Sequence, residues 1–102
     1  MSVKELFKKV TNKFNKKAAE NVSAIYLFQI DDQDYRIQIK DQACELLDSP
    51  EKPNVTLKAD QATWESIING SLSAQMAFML GKLNVSGDMP LALKLPSLFG
   101  LG

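Results

Sequence analysis

Few residues in this 102-residue chain have side chains suited to acid–base or nucleophilic chemistry. The chain has no histidine, the residue that most often serves as a general base or metal ligand. Its one cysteine, Cys44, lies in a strand-like segment and has no histidine to activate it, so we expect a structural thiol. The one carboxylate cluster, at Asp31, Asp32 and Asp34, is typical of a soluble hairpin turn. The sequence therefore predicts no enzyme, no cofactor and no metal site.

Phosphate and nucleic-acid binding also lack their usual residues. The glycines do not form a run that opens a helix before Lys-Ser or Lys-Thr, as a phosphate-binding loop requires. The basic N-terminal segment has aromatic residues, Phe7 and Phe14, but both fall on its apolar stripe, and the region that follows is acidic. We therefore expect no nucleic-acid partner.

The remaining candidate chemistry is apolar and lies between Asn69 and Phe99. Three of the four methionines lie here among many leucines, and methionine side chains adapt to irregular apolar shapes. No uninterrupted apolar run is long enough to cross a bilayer. Composition alone leaves two interpretations open, a packed core and the wall of a ligand cavity.

A spaced series of residues runs through this stretch. It comprises Asn69-Gly70, Leu72, Gln75, Ala77-Phe78, Gly81-Lys82-Leu83, Val85, Gly87-Asp88, Ala92, Leu95 and Leu98-Phe99. The series resembles the C-terminal signature of the sterol carrier protein type 2 family, and Val55 to Asp60 resembles the strand before it. The resemblance implies a small α/β domain with a hydrophobic tunnel that takes a fatty acid, fatty acyl-CoA or sterol-like ligand.

The candidate ligand-binding residues are the apolar positions of these C-terminal elements together with one amide. They are Ile67, Leu72, Gln75, Met76, Phe78, Met79, Val85, Met89, Leu91, Leu95, Leu98 and Phe99. Each apolar member is equally compatible with ordinary core packing. The Gln75 side chain either bonds backbone near a helix start or orients a ligand headgroup, and the resemblance favours the headgroup role.

Hydrophobic periodicity predicts the elements that position these residues. A helix starts at Ser2 with an apolar stripe that reaches Phe14, and strands follow over residues 21–30, 35–40, 43–47 and 55–59. Helices over residues 61–69 and 74–80, a strand over 83–86 and a closing helix over 88–99 complete the chain. We expect an α/β fold of the layered α+β kind, with a five-stranded, mainly antiparallel sheet covered on one face by helices.

Charge is unevenly distributed although the formal net charge is zero. Residues 1–17 carry six lysines and one glutamate, whereas residues 18–60 carry four basic and nine acidic residues. The candidate membrane-surface residues are Lys8, Lys9, Lys13, Lys16 and Lys17. These lysines either form a solvated face or contact anionic lipid, and the two roles are compatible.

The length predicts a single domain over residues 1–102. The lone cysteine and the lack of an apolar leader favour a cytoplasmic setting. Two functions follow as hypotheses. One is a lipid carrier that is a monomer or weak dimer. The other is a protein-interaction or dimerisation module that uses the same apolar groove.

Overall fold

The computed structural model describes residues 3–100, with side chains from Glu5 onward. The elements are α1 (Val3–Asn12), β1 (Ala24–Ile30), β2 (Gln33–Lys40), β3 (Ala43–Leu47), β4 (Val55–Ala59), α2 (Gln61–Ile68), α3 (Ala74–Met79), β5 (Asn84–Gly87), α4 (Met89–Leu93) and α5 (Leu95–Phe99). The predicted order is confirmed, but the closing segment is two short helices. Pro96 has no N–H to donate to Ala92, so the helix breaks at Lys94, and Pro96 lies in the first turn of α5.

The five strands form one sheet in the order β3-β2-β1-β4-β5. Only the β1–β4 pair is parallel among these strands, so the sheet is mainly antiparallel, as predicted. The centre is β1, in agreement with its apolar residues on both alternations. Its outward residue Leu27 is buried beside Arg36 and Thr56 of the neighbouring strands.

The helices pack on one face of this sheet around the ring of Phe28. Ring centroids of Phe7, Trp64 and Phe99 lie 5.3, 5.4 and 6.4 Å from that ring. One β1 residue therefore joins α1, α2 and α5 in a single core. Aromatic contacts of this kind add about 0.5–1.5 kcal/mol each beyond the burial of their area.

Side-chain caps fix the starts of three helices, as their sequences predict. Asp60 accepts from the Thr63 N–H at 2.7 Å at the start of α2. Hydrogen bonds from the Thr63 side chain and from this N–H lower the pKa of the Asp60 carboxyl. Ser73 and Asp88 cap α3 and α4 in the same way. Gly87 has φ +100°, and a Cβ there would lie 2.5 Å from the Asn54 carbonyl oxygen. Only glycine fits this turn into α4.

The N-terminal boundaries differ from the expected ones. Helix α1 ends at Asn12, and Phe14 lies in the following turn with its ring 5.7 Å from that of Phe99. Strand β1 begins at Ala24, because Asn21 has a positive φ of 65° that strands do not accept. The predicted helix start at Ser2 lies outside the described residues. No helix within residues 3–100 has both the length and the apolar character needed to cross a membrane.

Candidate functional site

A small apolar cavity lies between the β4–β5 edge of the sheet and the short helices α3, α4 and α5. Its volume is about 210 Å3. The lining residues are Leu57, Ala74, Gln75, Phe78, Leu83, Val85, Met89, Ala92, Leu93, Leu95 and Pro96. Gln75 is the one polar side chain in this described lining. The composition suits an apolar ligand oriented by one amide.

The cavity exists because small side chains stand where the helices approach the sheet. Leu57 and Val85 are paired across β4 and β5, so their side chains form one apolar floor. Ala74 of α3 and Ala92 of α4 leave the space above that floor unfilled. Phe78 stands one turn after Ala74 and closes one side.

Helix α4 covers the cavity and is only lightly attached to the rest of the fold. None of its five residues, all of them described, is buried. The buried Tyr26 hydroxyl donates to the Leu91 carbonyl oxygen at 2.7 Å. Burial, and to a smaller extent the nearby Asp88 charge, raise the pKa of Tyr26 to about 12. The phenol is therefore protonated at neutral pH and remains a donor to α4.

The structure brings five of the twelve predicted ligand-binding residues together in this lining. They are Gln75, Phe78, Val85, Met89 and Leu95. Three others, Ile67, Leu98 and Phe99, belong to the closed core. Leu91 is half-buried at the edge of that core, and Leu72 lines a separate polar depression with Asp60 and Lys82.

Met76 and Met79 lie on the surface of α3 and do not line this cavity. Met79 is 71% exposed. The reason is the orientation of the helix, because Ala74 and Ala77 are its buried residues. Met76 and Met79 do share a side of α3, as their spacing predicts, but that side faces solvent.

Six lining residues were not predicted from the sequence, namely Leu57, Ala74, Leu83, Ala92, Leu93 and Pro96. For two of them a signal existed, since Leu83 and Ala92 belong to the spaced series described above. Leu57 alternates with Val55 and Ala59, which predicts the inner face of β4 but not a cavity there. Gln75, the one predicted polar member of the site, is exposed at the mouth of the cavity.

The N-terminal lysines divide into two groups. Lys8, Lys9, Lys16 and Lys17 are exposed. Lys13 is exposed as well, but its Nζ donates to the Ile68 carbonyl oxygen at 2.8 Å. That carbonyl ends α2, so Lys13 has a structural role that a lysine at a helix C-terminus performs well.

The residues considered for other chemistry occupy ordinary structural positions. Cys44 is half-buried on β3, and burial raises the pKa of its thiol, which makes the thiolate less accessible. Asp31 and Asp32 form the β1–β2 turn. Within the described part of the chain no three His, Cys, Asp or Glu side chains are grouped to hold a metal ion.

Comparison with known proteins identifies the class. Residues 3–100 match the profile of the SCP-2 sterol transfer family, and the chain belongs to this family. Hydroxysteroid dehydrogenase-like protein 2 of Xenopus laevis is 30% identical over 103 residues, which cover 96% of this chain and 25% of that protein. The chain spans at most about a quarter of the length of the curated relatives that match it.

Solved structures agree with the fold. Sterol carrier protein domain 2 of Helicoverpa armigera aligns with a TM-score of 0.72 and 29% identity, over 95% of this chain and 81% of that one. The palmitated SCP2L2 protein of Aedes aegypti aligns with a TM-score of 0.69, over 97% and 95% of the two chains. Its 19% identity makes it a likeness of fold.

Proposed function

We propose that residues 1–102 form a single non-catalytic lipid-binding domain that holds the apolar part of a fatty acid, fatty acyl-CoA or sterol-like lipid. The observation that carries the proposal is the apolar cavity under α4 in a chain of the SCP-2 sterol transfer family. The palmitated state of the Aedes relative favours an acyl chain as the ligand class. Gln75, at the mouth, is placed to bond the polar end of such a ligand.

The size of the cavity implies that α4 moves when a long ligand enters. Pockets for drug-sized ligands have volumes of about 300–1,000 Å3, and this one has about 210 Å3. Helix α4 can give way because none of its described residues is buried and it lies between the Gly87 turn and the break at Lys94. Each methylene that enters gains about 0.8 kcal/mol, against about 4–15 kcal/mol lost on association. That balance suits a ligand that must also be released.

Thermal unfolding with and without lipid tests the proposal. Fatty acid at about 100 times its Kd stabilises the fold by about 2.7 kcal/mol, which for a domain of this size is roughly 10–20 °C in Tm. The variant Ala92→Phe places a ring in the cavity and should lose that shift while it still folds. Ala62→Phe, on the exposed side of α2, is the matched control and should keep it.

Two outcomes would contradict the proposal. One is a Tm unmoved by saturating fatty acid, acyl-CoA and sterol alike. The other is a full lipid shift in Ala92→Phe, which would place the lipid elsewhere.

The remaining expectations stay predictions. Contact of Lys8, Lys9, Lys16 and Lys17 with anionic lipid is consistent with their exposure. The fold does not test the expected monomeric or weakly dimeric state. It does not test the expected cytoplasmic setting either. Native mass spectrometry of the protein from its own cells checks both the bound lipid and the oligomeric state. A dimer without lipid would favour the interaction-module hypothesis.

A further inference from the structure

Exposed large hydrophobic side chains concentrate at one place on the surface. Of seven such side chains in the described part of the chain, three line the cavity and three lie on α3 or at its end, whereas Leu46 lies apart on β3. We call these six the apolar rim: Met76, Phe78, Met79, Leu80, Met89 and Leu93. Their combined exposed area is on the order of the few hundred Å2 at which an apolar patch marks an interaction site.

Helix α3 shows how unusual the apolar rim is. Its inward residues are Ala74 and Ala77, yet its outward residues Met76 and Met79 are large and apolar, and Phe78 at the mouth of the cavity is nearly half exposed. A helix that is apolar on nearly all sides is normally buried on all sides. The outward side of α3 is therefore apolar but has no apolar element of the described domain packed against it.

The apolar rim is continuous with the candidate lipid site. Phe78, Met89 and Leu93 line the cavity and are also partly exposed. A lipid that passes between these side chains moves from the surface into the cavity without leaving apolar contact. If the protein meets the source of the lipid at this point, the apolar chain of the lipid can enter the cavity without contact with water.

Two exposed lysines border the apolar rim, and the acidic groups near them are Asp60, whose charge interacts with Lys82, and Asp88. Lys82 follows α3 and Lys94 separates α4 from α5, and both are exposed. Asp88 is the one acidic residue between positions 70 and 102, and its carboxylate accepts from the Leu91 N–H at the start of α4. Apolar side chains beside lysines are the combination that binds an anionic membrane surface.

We propose that the apolar rim docks on the surface of an anionic bilayer, with Met79 and Leu93 entering the headgroup region and the mouth of the cavity facing the lipid. A bilayer fits better than a protein partner, because the rim borders the mouth through which the proposed lipid passes and exposed lysines lie beside it. The proposal rests on the proposed lipid-binding function, and it places the docking surface on α3 and α4 instead of the basic helix α1.

The first experiment places a fluorescent reporter at each candidate surface. Met79→Trp puts an indole on the rim, and Leu46→Trp puts one at the exposed hydrophobic position outside it, where Leu46 neighbours Phe7 and Lys8 of α1. The native Trp64 is buried and contributes a shielded background. Vesicles of phosphatidylglycerol and brominated phosphatidylcholine should quench the added emission of Met79→Trp by roughly half, as insertion of about 5–10 Å implies. The Leu46→Trp emission should stay unchanged.

Quenching of Leu46→Trp in place of Met79→Trp would overturn the proposal and assign docking to the α1 side. Quenching of neither variant, or failure of the protein to bind these vesicles, would also overturn it.

The second experiment removes the apolar contact. Met79→Ser and Leu93→Ser, both at exposed positions, should each weaken vesicle binding by about tenfold, whereas the control Leu46→Ser should not. Analytical ultracentrifugation of the same proteins detects the competing occupant, a second copy of the chain. A wild-type dimer that Met79→Ser converts to monomer, with vesicle binding retained, would contradict membrane docking.

Failure of this inference is separable from failure of the proposed function. The thermal shift with dispersed fatty acid needs no vesicle, and the quenching experiment needs no ligand in the cavity. If the thermal shift is absent but quenching is observed, the lipid-binding function is refuted and the membrane-docking surface is retained. Loss of quenching with the thermal shift retained removes only the docking surface.

Discussion

Helices α1 and α3 use their large apolar side chains in opposite ways. In α1, Leu6, Phe7 and Val10 are buried, whereas Lys8 and Lys9 face solvent. In α3, two alanines face the core while Met76 and Met79 face out. The first arrangement is that of a helix which stabilises its domain. The second leaves the apolar area of the helix free for another contact.

The comparison shows that the amount of apolar surface on a helix does not tell whether the helix stabilises the domain or binds a partner. Burial of Leu6 and Phe7 contributes about 1.5–3 kcal/mol each to folding. The exposed side chains of α3 contribute little to folding, so truncating them should change binding and not stability. The predictions below test this contrast, from the largest expected effect to the smallest.

Truncation within the stripe of α1 should have the largest effect. Leu6→Ala removes a side chain with no exposed area and should lower the free energy of unfolding by about 2–5 kcal/mol. Met79→Ala, the matched change on α3, should stay within about 0.5 kcal/mol of wild type. Urea denaturation measures both, and equal losses would abolish the contrast between the helices.

Enlarging the inner side of α3 should have the next largest effect. Ala77 has no exposed area, so Ala77→Leu forces strain of about 1–3 kcal/mol into the contact between α3 and the core. Ala62→Leu, at an exposed position of α2, should be close to neutral. A stable Ala77→Leu variant would mean that space lies beneath α3 and that its inner side is not packed.

Loss of the Tyr26 hydroxyl should loosen α4 at moderate cost. Tyr26→Phe removes the bond to the Leu91 carbonyl and should lower stability by about 0.5–1.5 kcal/mol. Lipid exchange should become faster, since α4 covers the cavity. Tyr35→Phe is the control, because its hydroxyl bonds only the neighbouring Gln33 side chain among the described contacts. Stopped-flow exchange of a fluorescent fatty acid measures the rate.

The same tyrosine gives a pH dependence. The pKa of Tyr26 is raised in the folded state from 10.0 to about 12. The protonated phenol therefore stabilises the fold fully below pH 10, and this contribution is lost as the pH rises through 12. Urea titrations between pH 9 and 12 should show a loss in wild type that is smaller in Tyr26→Phe. An identical slope in both proteins would contradict the role of this phenol.

The smallest effects on stability are expected at the exposed lysines of α1 and of the segment that follows it. Changing Lys8, Lys9, Lys16 and Lys17 to Gln should leave the free energy of unfolding within about 0.5 kcal/mol. If these lysines contact anionic vesicles, the change should weaken that binding most at low salt, since salt screens exposed charges. Lys13→Gln should behave differently and cost about 1 kcal/mol, because it removes the bond to the end of α2.

The sequence by itself determined the elements and most of their ends. Alternation of apolar residues predicted β2 and β4, and apolar character on both faces predicted β1 as an internal strand. Asp60, Ser73 and Asp88 cap α2, α3 and α4, and residues of these types are favoured at such positions. These features depend on neighbours within about four residues, so they can be predicted locally. The break at Lys94 follows from Pro96 by the same kind of rule, although one closing helix was expected.

Only the tertiary structure decided which apolar residues line the cavity. Periodicity groups Met76 with Met79 on α3, but it does not tell whether that side or the alanine side meets the sheet. Phe99 and Leu98 carry the same apolar signal as Leu95, yet they pack against Phe14 and Phe28 or fill the closed core. Burial of apolar area is non-directional, so the sequence gives each side chain the same tendency to leave water. Which of them meets another side chain, an empty space or the solvent depends on how distant elements are placed, and that placement is a property of the whole fold.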